Sequence, residues 1–318
     1  MGRDDMSTSS APTGNAADTT IGFVGLGHMG GPMAINLAKA GYAVRGFDLV
    51  PEAVTKAEAG GVVAVDSVAA AATDADVVLT SLPNGSLVLG VYRGEDGILA
   101  HAKPGALLID TSTIDVDDAR TAASEAEVAG LLAIDAPVSG GVVGAEAGTL
   151  AFMVGGPDAS VVAAQPVLDV LGARAVHCGA AGAGQAVKLC NNMLLAIHQI
   201  GVGEAFALAE KLGVDDQAFF DVASVATGQC WALNTNCPVP GPVPTSPANR
   251  DYQPGFAVGL MNKDLGLAIA AVEKNGVHAE LGRHARDVYA ALNEGEASTK
   301  DFSVVYRDIA QRSGITEA

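Results

Sequence analysis

The stretch IGFVGLGHMGGPMAINLAKAGYAVRGFD, residues 21 to 48, decides the fold. It opens on a short β-rich run and passes through a cluster of glycines into a helical pattern carried by Met33 and Leu37. It then turns at Gly41 and ends in a second strand at Asp48. Strand, helix and strand in that order make a βαβ unit. Gly25, Gly27 and Gly30 give the spacing G-x-G-x-x-G between strand and helix, where small residues let a pyrophosphate approach backbone N–H groups at the positive end of the helix. Alone the pattern is weak. Here Asp48 follows about 20 residues on, at the end of the second strand, placed to accept hydrogen bonds from an adenosine ribose. His28 and Met29 offer backbone contacts to the same dinucleotide. The Asp48 carboxylate would repel a 2′-phosphate, and no Arg follows it in LVPEAV, so NAD is expected rather than NADP. The same side chain could instead cap the helix that begins at Pro51.

Outward from this unit, DVVLTSLP (76 to 83), ALLIDTST (106 to 113) and LLAIDAPVS (131 to 139) read as strands alternating with Ala-rich helical segments. Such alternation predicts an α/β fold, a doubly wound parallel sheet of the Rossmann type. Strand signals fade after TLAFMVGG (149 to 156) and AVHCG (175 to 179), and helical periodicity takes over. The expected organisation is a flexible tail over residues 1–18, a nucleotide-binding domain over 19–182 and an all-α C-terminal domain over 183–318. Within the last, six prolines between residues 230 and 256 forbid a continuing helix, so that segment is expected to be an ordered or semi-ordered loop.

A chain of 318 residues is long enough for two domains and a sizeable core. With 18 basic against 36 acidic side chains the net charge of -18 repels phosphate backbones and anionic lipid, so neither nucleic acid nor membrane is an expected partner. Cys178, Cys190, Cys230 and Cys237 form no C-x-x-C pair and have no His at ligand spacing. They read as structural thiols, with no metal site. The first eighteen residues lack the apolar core of a signal peptide, and the apolar run at 193 to 203 is interrupted by His198 and Gln199; a cytoplasmic protein is expected.

Three further segments carry chemistry. Ser81, Leu82 and Pro83, with Thr111, Ser112 and Thr113, close two strands at the carboxyl edge, where open α/β sheets bind ligands. They are candidates to flank a nicotinamide, and each could equally be a turn or a helix cap. APVSGG (136 to 141) puts a hydroxyl and two glycines at another strand end. Successive N–H groups there could hold a substrate carboxylate, or the glycines could serve only a tight turn. In GQAVKLCNNMLLAIHQIGVGEAFALAE (184 to 210), Lys188 and Asn192 share one helical face. Apolar company would disfavour the charged form of Lys188 and suit it to proton transfer; a salt bridge or a snorkelling lysine is the open alternative.

These segments together resemble the 3-hydroxyisobutyrate dehydrogenases, within the β-hydroxyacid dehydrogenase family, from about Ile21 to Tyr306. FVGLGHMGGPMAINLAKAGY resembles the family's cofactor signature, DAPVSGGVVGAEAGTLAFMVGG its substrate signature, GAGQAVKLCNNMLLA its catalytic helix and NKDLGLA its fourth motif. The Pro-rich loop GQCWALNTNCPVPGPVPTSPANRDYQPGF resembles 3-hydroxyisobutyrate dehydrogenases in particular. The resemblance implies NAD-dependent oxidation of 3-hydroxyisobutyrate to methylmalonate semialdehyde in valine breakdown, with Lys188 as acid/base. It further implies Ser139, Gly140 and Gly141 on the substrate carboxylate, Asn192 fixing substrate or Lys188, and Lys263 on the cofactor. A Rossmann domain meeting a helical domain across a cleft, in a homo-oligomer (dimer or tetramer), is implied too. Trp231, the sole tryptophan, beside the Pro-rich loop, is a candidate to shield the substrate. Leu87 stands where some members offer Asn near the cofactor, which puts that one contact in doubt. A related enzyme acting on another short 3-hydroxy acid, such as a tartronate semialdehyde reductase, is the nearest competing reading.

Overall fold

A computed structural model of the chain describes residues 15 to 315. The expected tail therefore lies mostly outside the described residues; its last part, Ala16–Asp18, is a 3-10 turn closed by the Thr19 N–H on Ala16 O at 3.2 Å. Ala16 packs on the first core cluster, which orders the chain ahead of the expected start at residue 19.

The chain divides into two compact units between Lys188 and Leu189. The first is built on one sheet: β1 Thr20–Val24, β2 Ala43–Phe47, β3 Val63–Ala64, β4 Val77–Thr80, β5 Leu107–Asp110, β6 Leu132–Asp135, β7 Val138–Ser139, β8 Leu150–Gly155 and β9 Gly172–Gly179. Their order is β3-β2-β1-β4-β5-β6-β8-β7, with β9 on β8. The central strands read as unbroken apolar runs because both faces are buried. Ile21, Phe23, Val77, Leu79, Leu107 and Ile109 point into one core. Val24, Val78 and Leu108, the alternate residues, point into a second on the opposite face.

The expected parallel sheet is parallel from β3 through β6 and then departs. β8 runs antiparallel to both β6 and β7. The cause is connection length: a parallel crossover takes a dozen or more residues, and only the short helix Gly141–Ala147 separates β7 from β8. The longer helix Asp158–Leu171 restores parallel pairing of β9 on β8.

The second unit holds helices Asp216–Ala223, Trp231–Asn234, Val258–Lys274, Glu280–Asn293 and Val305–Arg312, together with most of the long helix Ala183–Lys211. Among its described residues the one extended pairing is the isolated bridge Ala257↔Asp301. Its main core gathers Ala196, Met261, Leu265, Tyr289 and Phe302. The Pro-rich segment is ordered by its own polar groups. Tyr252 Oη donates to Pro238 O at 2.7 Å, and Asn249 Nδ2 donates to Val243 O at 2.8 Å. The buried Asp301 accepts from Asn236 Nδ2 at 3.1 Å and from the Gly255 and Phe256 N–H groups. The long helix is long and apolar enough, by length and composition, to cross a bilayer, yet its buried positions include Gln185, Lys188, Asn192 and Gln199. Gln185, Asn192 and Gln199 hydrogen-bond to other parts of the protein, as the polar groups of a core helix do.

A candidate nucleotide site and the lysine helix

The glycines of the first loop do different work. Gly25 has φ +97°, a conformation other residues rarely adopt, and a Cβ there would lie 2.3 Å from Ser81 O. A Cβ on Gly30 would lie 1.9 Å from Gly25 O, so this glycine lets the helix Gly30–Lys39 pack against β1. Gly27 is different: a Cβ there meets nothing within 4 Å, and the residue is exposed with His28 beside it. The fold itself needs Gly25 and Gly30, while Gly27 borders open space at a helix start. That combination fits a dinucleotide pyrophosphate.

Asp48 closes this loop from β2. Its Oδ2 accepts from the Leu26 N–H at 2.6 Å and its Oδ1 from the Val50 N–H at 2.8 Å. The helix Pro51–Ala59 begins after Val50 with no side-chain cap, so Asp48 shapes the glycine loop and its own turn instead of capping that helix. A carboxylate offers about four acceptor positions, which leaves capacity for ribose hydroxyls. Arg45, on the same strand, donates through Nη2 to Thr73 O.

The loops after β4 and β5 are stitched together. Leu82 N–H donates to Ser112 Oγ at 2.8 Å, and Thr111 Oγ1 to Thr80 O at 2.8 Å. Ser112 caps no helix; Asp115 caps Val116–Val128. Leu82 and Thr113 are half-buried and Pro83 is exposed, on the same edge as the glycine loop, since Leu82 Cδ2 would touch a Cβ at Gly25. Leu87, 46% exposed, sits in the helix Gly85–Tyr92 that Asn84 caps. Beneath this edge Asp110 is fully buried, accepting from Thr80 Oγ1 at 2.7 Å and from the Ser112 N–H at 3.1 Å. Burial pushes its carboxyl up to about 6, against the lowering effect of those hydrogen bonds.

Asp135, paired with Asp110 across β5 and β6, reaches the long helix. Its Oδ1 accepts from the Gly182 N–H at 2.7 Å and its Oδ2 from the Gln185 N–H at 2.9 Å. Burial raises this carboxyl as well, opposed by those backbone bonds. Because these contacts tie the first helical turns to the sheet, the first unit extends through Lys188, past the expected boundary at residues 182 and 183. Gly184 is required by the same approach, since a Cβ there would lie 2.2 Å from Met153 O. Gln185 is fully buried: its Oε1 accepts from the Ile114 N–H at 3.0 Å, and its Nε2 donates to Ser112 O at 2.8 Å. One turn on, Lys188 is 6% exposed. At the end of β7, Ser139 is half-buried, and Gly140 and Gly141, which lead into the helix Gly141–Ala147, have φ +133° and +63°, so both glycines are demanded by the turn.

In the helical unit, Asn192 Nδ2 donates to Asp264 Oδ2 at 2.6 Å, and Lys263 Nζ lies 3.2 Å from Asp264 Oδ1. Asp264 is buried and joins two of the expected site residues. Trp231 opens the short helix Trp231–Asn234 and is 53% exposed. Among the described residues no group of three or more His, Cys, Asp or Glu is placed to hold a metal ion. Three polar residues escaped the sequence reading: Gln185, Asp135 and Asp264. Each lies inside a quoted motif close to a residue that was singled out, and that closeness was the only signal.

Comparison with known proteins divides the chain between residues 179 and 182, a little ahead of the structural division after Lys188. A profile of the NAD binding domain of 6-phosphogluconate dehydrogenase matches residues 20–179. One described as NAD-binding of NADP-dependent 3-hydroxyisobutyrate dehydrogenase matches residues 182–309. The probable 3-hydroxyisobutyrate dehydrogenase of Mycobacterium tuberculosis is 55% identical over 295 residues, 93% of this chain and 99% of the relative. The 3-hydroxyisobutyrate dehydrogenase of Pseudomonas aeruginosa is 46% identical over 291 residues, 91% and 98% of the two chains. The solved structure of the Mycobacterium tuberculosis enzyme with L-serine superposes with a TM-score of 0.88 over 92% of this chain and 99% of that one, at 55% identity. An imine reductase from Myxococcus stipitatus shares the fold, with a TM-score of 0.61 at 17% identity, 92% of this chain and 99% of that chain being covered.

Proposed function

Because this chain belongs to the 3-hydroxyisobutyrate dehydrogenase family, we propose that it oxidises 3-hydroxyisobutyrate to methylmalonate semialdehyde with NAD, in the cytosol and as a step of valine breakdown. It is an oxidoreductase with a nicotinamide cofactor. The observation that carries the reading is a buried lysine, Lys188, one turn beyond a helix start pinned to the ends of β5 and β6.

When bound, the nicotinamide supplies the hydride acceptor for the alcohol carbon. The chain's residues do the rest. Lys188, in its neutral form, takes the hydroxyl proton as that C–H bond gives up its electron pair, leaving a carbonyl; in reverse its ammonium protonates the aldehyde oxygen. Ser139, Gly140 and Gly141 hold the substrate carboxylate by the hydroxyl and successive N–H groups of the turn. Asn192, oriented by Asp264, fixes the substrate or Lys188, and Trp231 shields the reacting atoms from water. Gly25, Gly27, His28, Met29 and Gly30 would hold the pyrophosphate, Asp48 the ribose, and Leu82, Pro83 and Thr113 the nicotinamide half; Lys263 is assigned to the cofactor as well. The L-serine of the Mycobacterium tuberculosis relative is itself a short 3-hydroxy acid, which supports this substrate class.

NAD is favoured over NADP by the Asp48 carboxylate and by the engagement of Arg45 with Thr73 O, although the second matching profile is described as NADP-dependent. A homo-oligomer is supported by Leu194, Leu208 and Leu212, exposed on the long helix and just past its end.

The decisive experiment measures NADH formation over a panel of short 3-hydroxy acids for the protein, for Lys188→Ala and for Lys188→Arg, with NADH binding and folding checked for each. Loss of general acid/base assistance costs about 10² to 10⁴ in rate. Arginine keeps the charge but cannot release its proton, so both variants should fail in turnover while binding NADH. An active Arg variant would exclude proton transfer by Lys188.

A further inference from the structure

Gln185 lies three residues before Lys188, on the same face of the helix, and its carboxamide spends both its ends on one loop. Oε1 accepts from Ile114 N–H at 3.0 Å and Nε2 donates to Ser112 O at 2.8 Å. These two backbone groups bracket Thr113. The same Ser112 uses its hydroxyl to accept from Leu82 N–H, which joins the loop after β4 to the loop after β5. From behind, Asp135 grips the helix start through Gly182 N–H and the backbone N–H of Gln185 itself. Gln185 is fully buried, so no water substitutes for a missing end of its carboxamide at low cost.

We propose that Gln185 is a positioning residue for the reaction: its two-ended bridge to Ser112 O and Ile114 N–H sets the depth and rotation of the turn that bears Lys188 against the two loops that flank the nicotinamide. The inference rests on the assignment of Lys188 as acid/base. A pair of hydrogen bonds of opposite sense fixes both translation and rotation, because sliding or turning the helix breaks one of them. Neither a buried apolar side chain nor a carboxylate reproduces it. Gln185 touches neither substrate nor cofactor and acts only through Lys188. Displacement of a reacting group by about 1 Å costs on the order of 10²-fold in rate.

The test uses Gln185→Met and Gln185→Glu, with Lys188→Ala beside them. Gln185→Met keeps the volume and removes both bonds. It should fold, bind NADH within about threefold of the parent, leave KM for 3-hydroxyisobutyrate changed less than kcat, and lose about 10- to 100-fold in kcat. Hydrogen exchange supplies a readout independent of turnover: the Ile114 amide should lose protection in this variant. Gln185→Glu separates positioning from bulk. A protonated Glu donates to Ser112 O and accepts from Ile114 N–H as the carboxamide does, whereas its carboxylate would set two acceptors against each other. The charged groups around the position are Asp135, Asp110 and Lys188, with Arg120 against Gly182. The ratio of Gln185→Glu to parent kcat should therefore climb about tenfold as pH falls and the introduced carboxyl takes up its proton. A pH-independent ratio, or a folded Gln185→Met within twofold of the parent kcat, would overturn the proposal. If Gln185→Met does not fold, the pH ratio of Gln185→Glu decides alone. The two readings fail separately: an active Lys188→Ala removes the acid/base assignment, while an inactive Lys188→Ala beside a fully active Gln185→Met removes only the positioning role.

Discussion

Replacing Gly27 with alanine separates binding of a dinucleotide from the packing of the loop that would bind it. A Cβ at Gly27 meets no atom within 4 Å, and the residue lies outside the left-handed region that would penalise a side chain. The folded chain should therefore accept the Gly27→Ala change with a shift of only about 0.4–1 kcal/mol, in the stabilising direction, because alanine narrows the unfolded ensemble. The added methyl instead fills the open space that a pyrophosphate would occupy. Losing one hydrogen bond to a charged group costs about 1.5–3 kcal/mol, which is roughly 10- to 100-fold in Kd. Gly30→Ala is the contrasting control: its Cβ would sit 1.9 Å from Gly25 O, a backbone atom, so the helix must back away from β1. Overpacking of that kind costs about 1–3 kcal/mol or more. Denaturant unfolding of the two variants, with NADH titrations followed by fluorescence, reads both quantities. A Gly27→Ala protein that binds NADH as the parent does would refute the placement of the pyrophosphate at this loop, and one destabilised as much as Gly30→Ala would refute the open-space reading.

Other consequences follow from the buried carboxylates. Burial raises Asp110 from 3.8 to about 6 in the folded chain, so between those values the unfolded chain ionises first and stability falls as pH rises. The span corresponds to about 3 kcal/mol at 1.36 kcal/mol per unit. Asp110→Asn should remove that slope, gaining on the parent as pH rises through about 6 in urea midpoints; parallel profiles for the two proteins would contradict it. Asp264→Ala takes the acceptor away from Asn192 Nδ2 and should lower stability by about 2–4 kcal/mol and turnover with it, checked by unfolding and NADH formation. An unaltered turnover would mean that Asn192 needs no orientation. Steady-state kinetics should favour NAD over NADP by at least about tenfold, and Asp48→Ala should narrow that ratio; equal efficiencies in the parent would sink the ribose assignment of Asp48.

The parts of this molecule that were legible in the sequence are those where one residue type suffices. Gly25 and Gly30 are written into the chain because a Cβ would collide with Ser81 O or Gly25 O, and the central strands because burial on both faces admits only apolar residues. Strand direction was not legible at β8: LAFMVG is as apolar as a parallel strand, and the length of the connection before it, not its composition, turns it round. The polar residues that escaped notice owe their roles to distant partners. Asp264 meets Asn192 across 72 residues, and Gln185 meets Ser112 across 73. Asp48 and Asp110 make the point most sharply, because both stand at the end of a strand of the same sheet, at the same edge. Asp48 meets two backbone N–H groups at a half-buried loop and is free to accept more. Asp110 is enclosed, with Oδ2 lacking a hydrogen-bond partner and Asp135 beside it. Identical side chains thus become a carboxylate with acceptor capacity to spare and a carboxyl driven toward its neutral form, and the difference is made by burial, which no motif encodes.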